Sequence, residues 1–276
     1  MNAEQMRAAH EAAVAGLARG ALGALQGTGS TAVVTDHLQA AQAGPPSHLA
    51  DTAGEVHALE VAAGAVRVLG ADVLAGHVLA GHALAPRESA VIGQILAALP
   101  PAPEPPPAPP SGAEQPWLSA WIDWGLVAVW ARLDPPAATS LAPPLPPPPQ
   151  RCDPAAPRRR AAGSGNGLAG EGWVPWSLRM GRLASLALPG LDSPLHAAAR
   201  TAGVPLARGA ARAVLRRDYV TAARLTRWLA WLAAEGGVSP VDPALLVGDI
   251  RLRGPSDGRC TLDAAVATYL LERGRT

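Results

Sequence analysis

The chain of 276 residues has no lysine and no phenylalanine, and asparagine occurs only at Asn2 and Asn166. All three residue types have AT-rich codons, so their shared scarcity indicates a GC-rich genome rather than a functional constraint. Without phenylalanine, the bulk of a core must come from Leu, Val, Ala and the eight tryptophans. Because a buried tryptophan removes a large apolar area from water, each one carries an unusual share of the stability.

Cysteine and membrane signals are also scarce. Cys152 and Cys260 are isolated from each other and from any CxxC or histidine spacing, which excludes a disulfide scaffold and favours a reducing cytoplasm. The first residues lack the basic start and apolar run of a secretory signal. The longest apolar stretch, 61–85, contains an arginine, an aspartate and two histidines, too polar for a bilayer span. The sequence therefore predicts a cytoplasmic protein that makes no membrane contact.

Proline is abundant and clustered, since 19 of the 29 prolines fall between Pro100 and Pro157. Proline cannot donate a backbone hydrogen bond, so the runs at 100–110 and 143–149 are predicted to be extended. These runs divide the chain into five predicted regions. They are an acidic helical region (1–99), a Pro-rich linker (100–116), a Trp-rich buried helix (117–134), a flexible Pro/Gly/Arg-rich loop (135–172) and a basic helical bundle (173–276).

Apolar residues outside the proline runs recur at three- and four-residue spacings, the pattern of amphipathic helices. Alternating runs of β-branched residues, which would indicate strands, are absent. The predicted fold class is all-α: helical layers or a bundle, interrupted by two Pro-rich extended segments, with essentially no sheet. The predicted helices cover 3–26, a short segment capped by Ser30 or Thr31, 47–84, 86–99, 117–130, 176–187, 193–202, 206–216, 218–235, 243–250 and 261–273.

The helix between the two proline runs is apolar almost all round. Trp117, Trp121 and Trp124 share one face, and aliphatic residues cover the opposite side. Such a helix is expected to be buried on nearly every side, because its exposed surface would aggregate. The alternative is that this tryptophan face docks onto a partner protein, since tryptophan is enriched at binding hot spots.

Charge is distributed unevenly along the chain. Residues 1–150 contain five arginines and twelve acidic residues, whereas residues 151–276 contain eighteen arginines and ten acidic residues. Six of the seven histidines lie in the acidic half. This asymmetry indicates either that the two halves attract each other or that the basic half has an anionic partner.

The basic half contains the best functional candidate. Residues 196–217 have the outline of a helix-turn-helix, but Gly209 and Arg212 occupy positions that should be apolar, so the register is wrong for that unit. Arg208, Arg212 and Arg216 share one helical face. They could contact nucleic-acid phosphates. They could equally pair with Asp51, Glu55, Glu60 or other acidic residues of the first half.

Several short patterns resemble catalytic or ligand-binding motifs, but each lacks the surrounding structure that such a motif requires. The glycines of 165–170 match a dinucleotide-binding pattern, but no strand precedes them, so a linker is predicted. His57 and Glu60 form a single pair on a polar face, while His77 and His82 diverge around their helix. Ser164 has no strand–turn–helix around it. No catalytic residue, cofactor or metal ligand is therefore predicted.

No motif in the sequence identifies a family, and three hypotheses of function follow from the residues. The first is a non-catalytic cytoplasmic helical protein that acts through contacts with protein partners. The alternative is a nucleic-acid-associated regulator that uses the C-terminal arginine face. The third is a helical-bundle enzyme or metal protein, which no motif supports.

Overall fold

The computed structural model describes residues 3–43, 52–109, 111–139, 147–149 and 172–274, and every regular element in these ranges is helical. This confirms the predicted all-α fold class. None of the helices in the described ranges is both long and apolar enough to cross a membrane. The predictions made for Asp51, Cys152, Ser164, the glycine motif at 165–170 and most of the loop at 135–172 concern residues outside these ranges.

The chain forms two compact units. Unit 1 contains Met1–Pro105, Ser119–Pro147 and Asp257–Leu262, and unit 2 contains Pro106–Leu118, Pro148–Ser256 and Asp263–Thr276. Unit 1 has six arginines and twelve acidic residues, while unit 2 has seventeen arginines and ten acidic residues. Each unit therefore carries a strong net charge, and the two charges have opposite signs.

Unit 1 is built from short and medium helices. The predicted continuous helix over 47–84 is wrong: it breaks at Gly70, whose φ of +62° is a left-handed conformation that glycine adopts easily. Residues 135–139, predicted as loop, are helical. The helices are α1 (Ala3–Leu25), α2 (Val33–Gln42), α3 (Thr52–Leu69), a 3₁₀ turn (Gly70–Leu74), α4 (Ala75–Leu79), α5 (Pro86–Ala98), α6 (Glu114–Leu133, shared with unit 2) and α7 (Pro135–Thr139).

The start of α2 is capped by a distant residue rather than by Ser30 or Thr31. The Glu88 carboxylate, 1% exposed, accepts hydrogen bonds from the backbone N–H of Val34 at 2.7 Å and of Thr35 at 2.9 Å. The Thr35 hydroxyl donates to the same carboxylate at 2.6 Å. A carboxylate suits this position because a helix N-terminus presents backbone N–H groups that have no acceptor within the helix, together with the positive end of the helix dipole.

Unit 2 is organised around α11 (Tyr219–Ala234), which packs against α8 (Trp173–Arg182), α10 (Gly203–Leu215) and α12 (Pro243–Arg253). An aspartate directly before a helical pattern predicts an N-cap, and this is confirmed for Asp218 and Asp242, since each accepts from a backbone N–H in the first turn of its helix. The helices are α8 (Trp173–Arg182), a 3₁₀ turn (Ala184–Leu186), α9 (Pro194–Thr201), α10 (Gly203–Leu215), α11 (Tyr219–Ala234), α12 (Pro243–Arg253) and α13 (Gly258–Arg273, shared with unit 1).

A buried ion pair fixes α11. Arg227 and Asp263 are both fully buried, and the Arg227 Nη1 donates to Asp263 Oδ1 at 3.1 Å. The same guanidinium donates to the carbonyl oxygens of Ala187 at 3.3 Å and Ser185 at 3.4 Å. These partners are necessary because an unpaired buried charge is strongly destabilising.

We expect Arg227→Ala to lower the free energy of unfolding by about 3–5 kcal/mol, because it removes the buried guanidinium that donates to the buried Asp263 carboxylate. Urea denaturation measures the loss. Arg253→Ala is the matched control: Arg253 pairs with Asp249 at 3.0 Å but is largely exposed, so its loss should cost about 0.5 kcal/mol or less. Similar losses in the two variants would contradict the structural role of the buried pair.

Candidate functional site

The predicted tryptophan face lies in the interior. Trp117, Trp121 and Trp124 are all buried, and the rings of Trp121 and Trp124 meet edge to face with centroids 5.5 Å apart. This geometry is favourable for aromatic pairs. In the folded chain these rings pack in the core and are not exposed on the surface.

Two arginines of α10 and the arginine directly after its last residue lie on the surface. Arg208, Arg212 and Arg216 are all exposed and, being four residues apart, line one side of the helix. None of their side chains forms an ion pair or hydrogen bond with a described residue. Of the acids considered as intramolecular partners, Glu60 instead lies 3.9 Å from His57. We call these three residues the arginine row.

One aromatic side chain supports the arginine row. Trp173, at the first position of α8, lies with its ring centroid 4.4 Å from Cζ of Arg208 and 6.0 Å from Cζ of Arg212. Cation–π attraction of this kind contributes about 0.5–1 kcal/mol at exposed sites. Trp173 therefore restricts the arginines to one side of α10 while leaving their donors in solvent.

An open groove of about 270 Å³ runs beside the arginine row, between α8, α10 and α11. Its rim carries Arg212, Arg216 and Asp218. Leu178 is the one large apolar side chain of the groove that is substantially exposed among those described, at 48%. The lining is mainly apolar and comes from Val174, Leu178, Ala213 and Leu225, with Ser177, Gly209 and Thr221 completing it. We call this feature the basic groove.

Leu178 and Trp173 are not among the site residues predicted from the sequence. A signal for Leu178 was available, because α8 buries Trp176 and Met180 on one side and so turns Leu178 away from the core. No comparable sequence signal places Trp173 beneath Arg208, since that contact joins two separate helices.

Gly209 allows α8 and α10 to approach closely enough to form the groove. A Cβ atom at this position would lie 2.7 Å from Cβ of Ser177, closer than real contacts permit, and 3.0 Å from Cδ1 of Leu225, a tight contact. Gly209, one of the two residues that break the helix-turn-helix register, is therefore required by the packing of α8, α10 and α11.

The connection before α10 also differs from a helix-turn-helix. Only Ala202 separates α9 from α10, and α10 begins at Gly203 rather than at 206 as predicted. A helix-turn-helix uses a turn of three or four residues. The arginine row consequently belongs to a surface helix with a groove beside it, and not to a recognition helix of that unit.

A serine–histidine pair in unit 2 is structural. The Ser193 hydroxyl lies 2.7 Å from Nδ1 of His196, and Nε2 of the imidazole lies 2.9 Å from the carbonyl oxygen of Leu186. In the neutral ring, Nε2 donates to that carbonyl and Nδ1 accepts from the hydroxyl. His196 is fully buried against the rings of Trp228 and Trp231, so a substrate cannot reach it.

The histidines of unit 1 are engaged with the backbone. Nδ1 of His77 donates to the carbonyl of His82 at 3.0 Å, and Nε2 of His82 donates to the carbonyl of Ala24 at 3.1 Å. Across the described ranges, no group of three or more His, Cys, Asp or Glu side chains is placed to hold a metal ion.

No family model matches the chain, and no curated protein or solved structure matches it either. Evidence for a function of this chain therefore comes from the geometry of the arginine row and the basic groove.

We expect the stability of the protein to fall as the pH drops below about 6.5. Burial lowers the pKa of His196, with its hydrogen bond to Leu186 opposing this in part. Because the unfolded chain binds the proton more readily, the contribution of neutral His196 is complete above the unfolded pKa and lost progressively below it. His37, whose pKa burial also lowers, acts in the same direction.

Thermal melts at about pH 7.5 and about pH 5.5 test this expectation. His196→Gln retains a donor toward Leu186 but does not titrate, so its melting temperature should change less with pH than that of the original chain. An unchanged pH dependence in this variant would exclude His196 as the cause.

We expect Gly209→Ala to destabilise the protein by about 1–3 kcal/mol, the usual cost of an overpacked contact, because the new Cβ collides with Ser177. Gly16→Ala is the control, since a Cβ at this helical position in α1 meets nothing within 4 Å. The control should gain up to about 1 kcal/mol from helix propensity. Chemical denaturation of both variants gives the comparison, and a stabilised Gly209→Ala chain would contradict the close approach of α8 and α10.

Proposed function

We propose that this chain is a non-catalytic protein-interaction module that binds an acidic segment of a partner protein, containing apolar side chains, in the basic groove. The observation that supports this proposal is the combination of an arginine row that pairs with no acidic residue in the described part of the chain and an apolar groove directly beside it. The cytoplasmic location of this activity remains a prediction from the cysteine usage.

The charges of the site match such a segment. Arginine donates in a planar fork that pairs with carboxylates through two hydrogen bonds. The contact with Trp173 holds Arg208 and Arg212 in place before binding, which reduces the conformational entropy that ordering them would cost. Unit 2 has seven more arginines than acidic residues, and this excess would accelerate the approach of an acidic partner.

The groove favours a protein segment over a nucleic acid. A phosphate backbone could use the arginine row, but it offers nothing to bury against Leu178, Val174 and Ala213. An acidic segment with leucine-like side chains would use both features at once, since removing Leu178 from water is itself favourable. The phosphate backbone of a nucleic acid would therefore use the arginine row but not the apolar lining of the basic groove.

Fluorescence anisotropy with two labelled probes tests the proposal. One probe is a peptide of about ten residues that alternates Glu with Leu, and the other is an oligo-dT of about 20 nucleotides. We expect the peptide to bind the full chain, and Arg212→Gln to weaken binding about fivefold, as for a partly exposed charge pair of ~1 kcal/mol. Leu178→Ser should weaken it by a similar factor.

Arg87→Gln is the control, because Arg87 is an exposed arginine in α5 of unit 1. It should leave peptide binding unchanged. Failure of the peptide to bind at low ionic strength would overturn the proposal. If only oligo-dT bound, with a loss in Arg212→Gln and none in Leu178→Ser, the nucleic-acid alternative would replace it.

A further inference from the structure

We propose that the exposed face of α12 pairs with the same face of a second copy of this chain, forming a two-fold homodimer. This inference does not depend on the basic groove. The face centres on Leu245 and Leu252, which are 73% and 80% exposed although both are large and apolar. Gly248 lies between them and is also exposed.

The spacing of these residues suits a helix–helix contact. Positions 245, 248 and 252 are separated by three and four residues and therefore share one side of α12. A Cβ at Gly248 would meet nothing within 4 Å, so the packing of this chain does not require a glycine there. A glycine at the centre of the face lets a second helix approach closely at that point.

The same face is complementary to itself. If two copies of α12 pair in antiparallel orientation across Gly248, Leu245 of one copy lies beside Leu252 of the other, and the reverse contact follows by symmetry. A two-fold interface requires this property, because each subunit contributes the identical patch. Each copy thereby buries both of its exposed leucines.

Charge selects a second copy over an acidic or basic partner. A groove of about 190 Å³ between α12 and α13 carries Arg251 on one wall and Glu272 on the other. Neither side chain forms an ion pair with a described residue. One cation and one anion on a single patch allow two copies to attract each other, with Arg251 of each copy meeting Glu272 of the other. The arginine row, by contrast, would repel a second arginine row.

Analytical ultracentrifugation of the full chain over a range of concentrations tests the dimer. We expect the mass to rise from monomer to dimer, and Leu252→Glu to raise the dimer dissociation constant at least about tenfold by placing two charges in the apolar contact. Because Leu252 is exposed, the variant should fold normally, which a thermal melt checks. Leu215→Glu is the control, since Leu215 is 85% exposed but lies on α10.

A charge-exchange experiment tests the pairing directly. Arg251→Glu should weaken the dimer, because its carboxylate would face Glu272 of the other copy, and adding Glu272→Arg should restore it. Any of three results would overturn the proposal. The original chain could be a monomer at every concentration, Leu252→Glu could form the dimer as readily as the original chain, or the double variant could fail to regain the dimer. Arg212→Gln should leave the dimer intact, so this result is separable from the fate of the basic groove.

Discussion

The enclosure of Arg227 with Asp263 is the interaction on which unit 2 depends most. A guanidinium with no solvent access must have every major partner in place, so α11 can occupy only a position that satisfies Asp263, Ala187 and Ser185 together. The N-cap Asp218 and the α11 residues Thr221 and Leu225 line the basic groove. The arrangement of the groove therefore depends on an ion pair that does not line it.

Two sets of described arginines in unit 2 have different surroundings. Arg179 and Arg182 pair with Glu114 at 3.0 and 2.6 Å, and Arg200 lies between Asp192 and Glu235. These pairs hold segments of the chain together. The arginine row is different, because Arg208 and Arg212 contact the ring of Trp173 rather than a described carboxylate. Cations that are positioned but not neutralised are what an anionic partner requires.

The sequence predicted those features that are encoded locally. Helical periodicity and the caps Asp218 and Asp242 depend on residues within one or two turns, so the pattern alone was sufficient. The break at Gly70 and the capping of α2 by Glu88 were not predicted. Gly70 lies among apolar residues at helical spacing, where a glycine is also consistent with close helix packing. Glu88 lies more than fifty residues along the chain from the backbone N–H groups that it caps. The arginine row was visible from its four-residue spacing. The groove was not, because it exists only where Gly209 brings α8 and α10 together.

The two proposed surfaces have a combined consequence for partner choice. A dimer formed through α12 would carry two basic grooves in one assembly, and the second binding event would then be intramolecular. Such an assembly would favour partners with two acidic segments over partners with one, without any new contact in either groove. Because each groove has a volume of only about 270 Å³ and its arginines are exposed, a single site is expected to bind weakly. Dimerisation would then supply the selectivity that the individual groove lacks, and breaking the α12 contact should abolish the preference for paired acidic segments while leaving the affinity for a single segment unchanged.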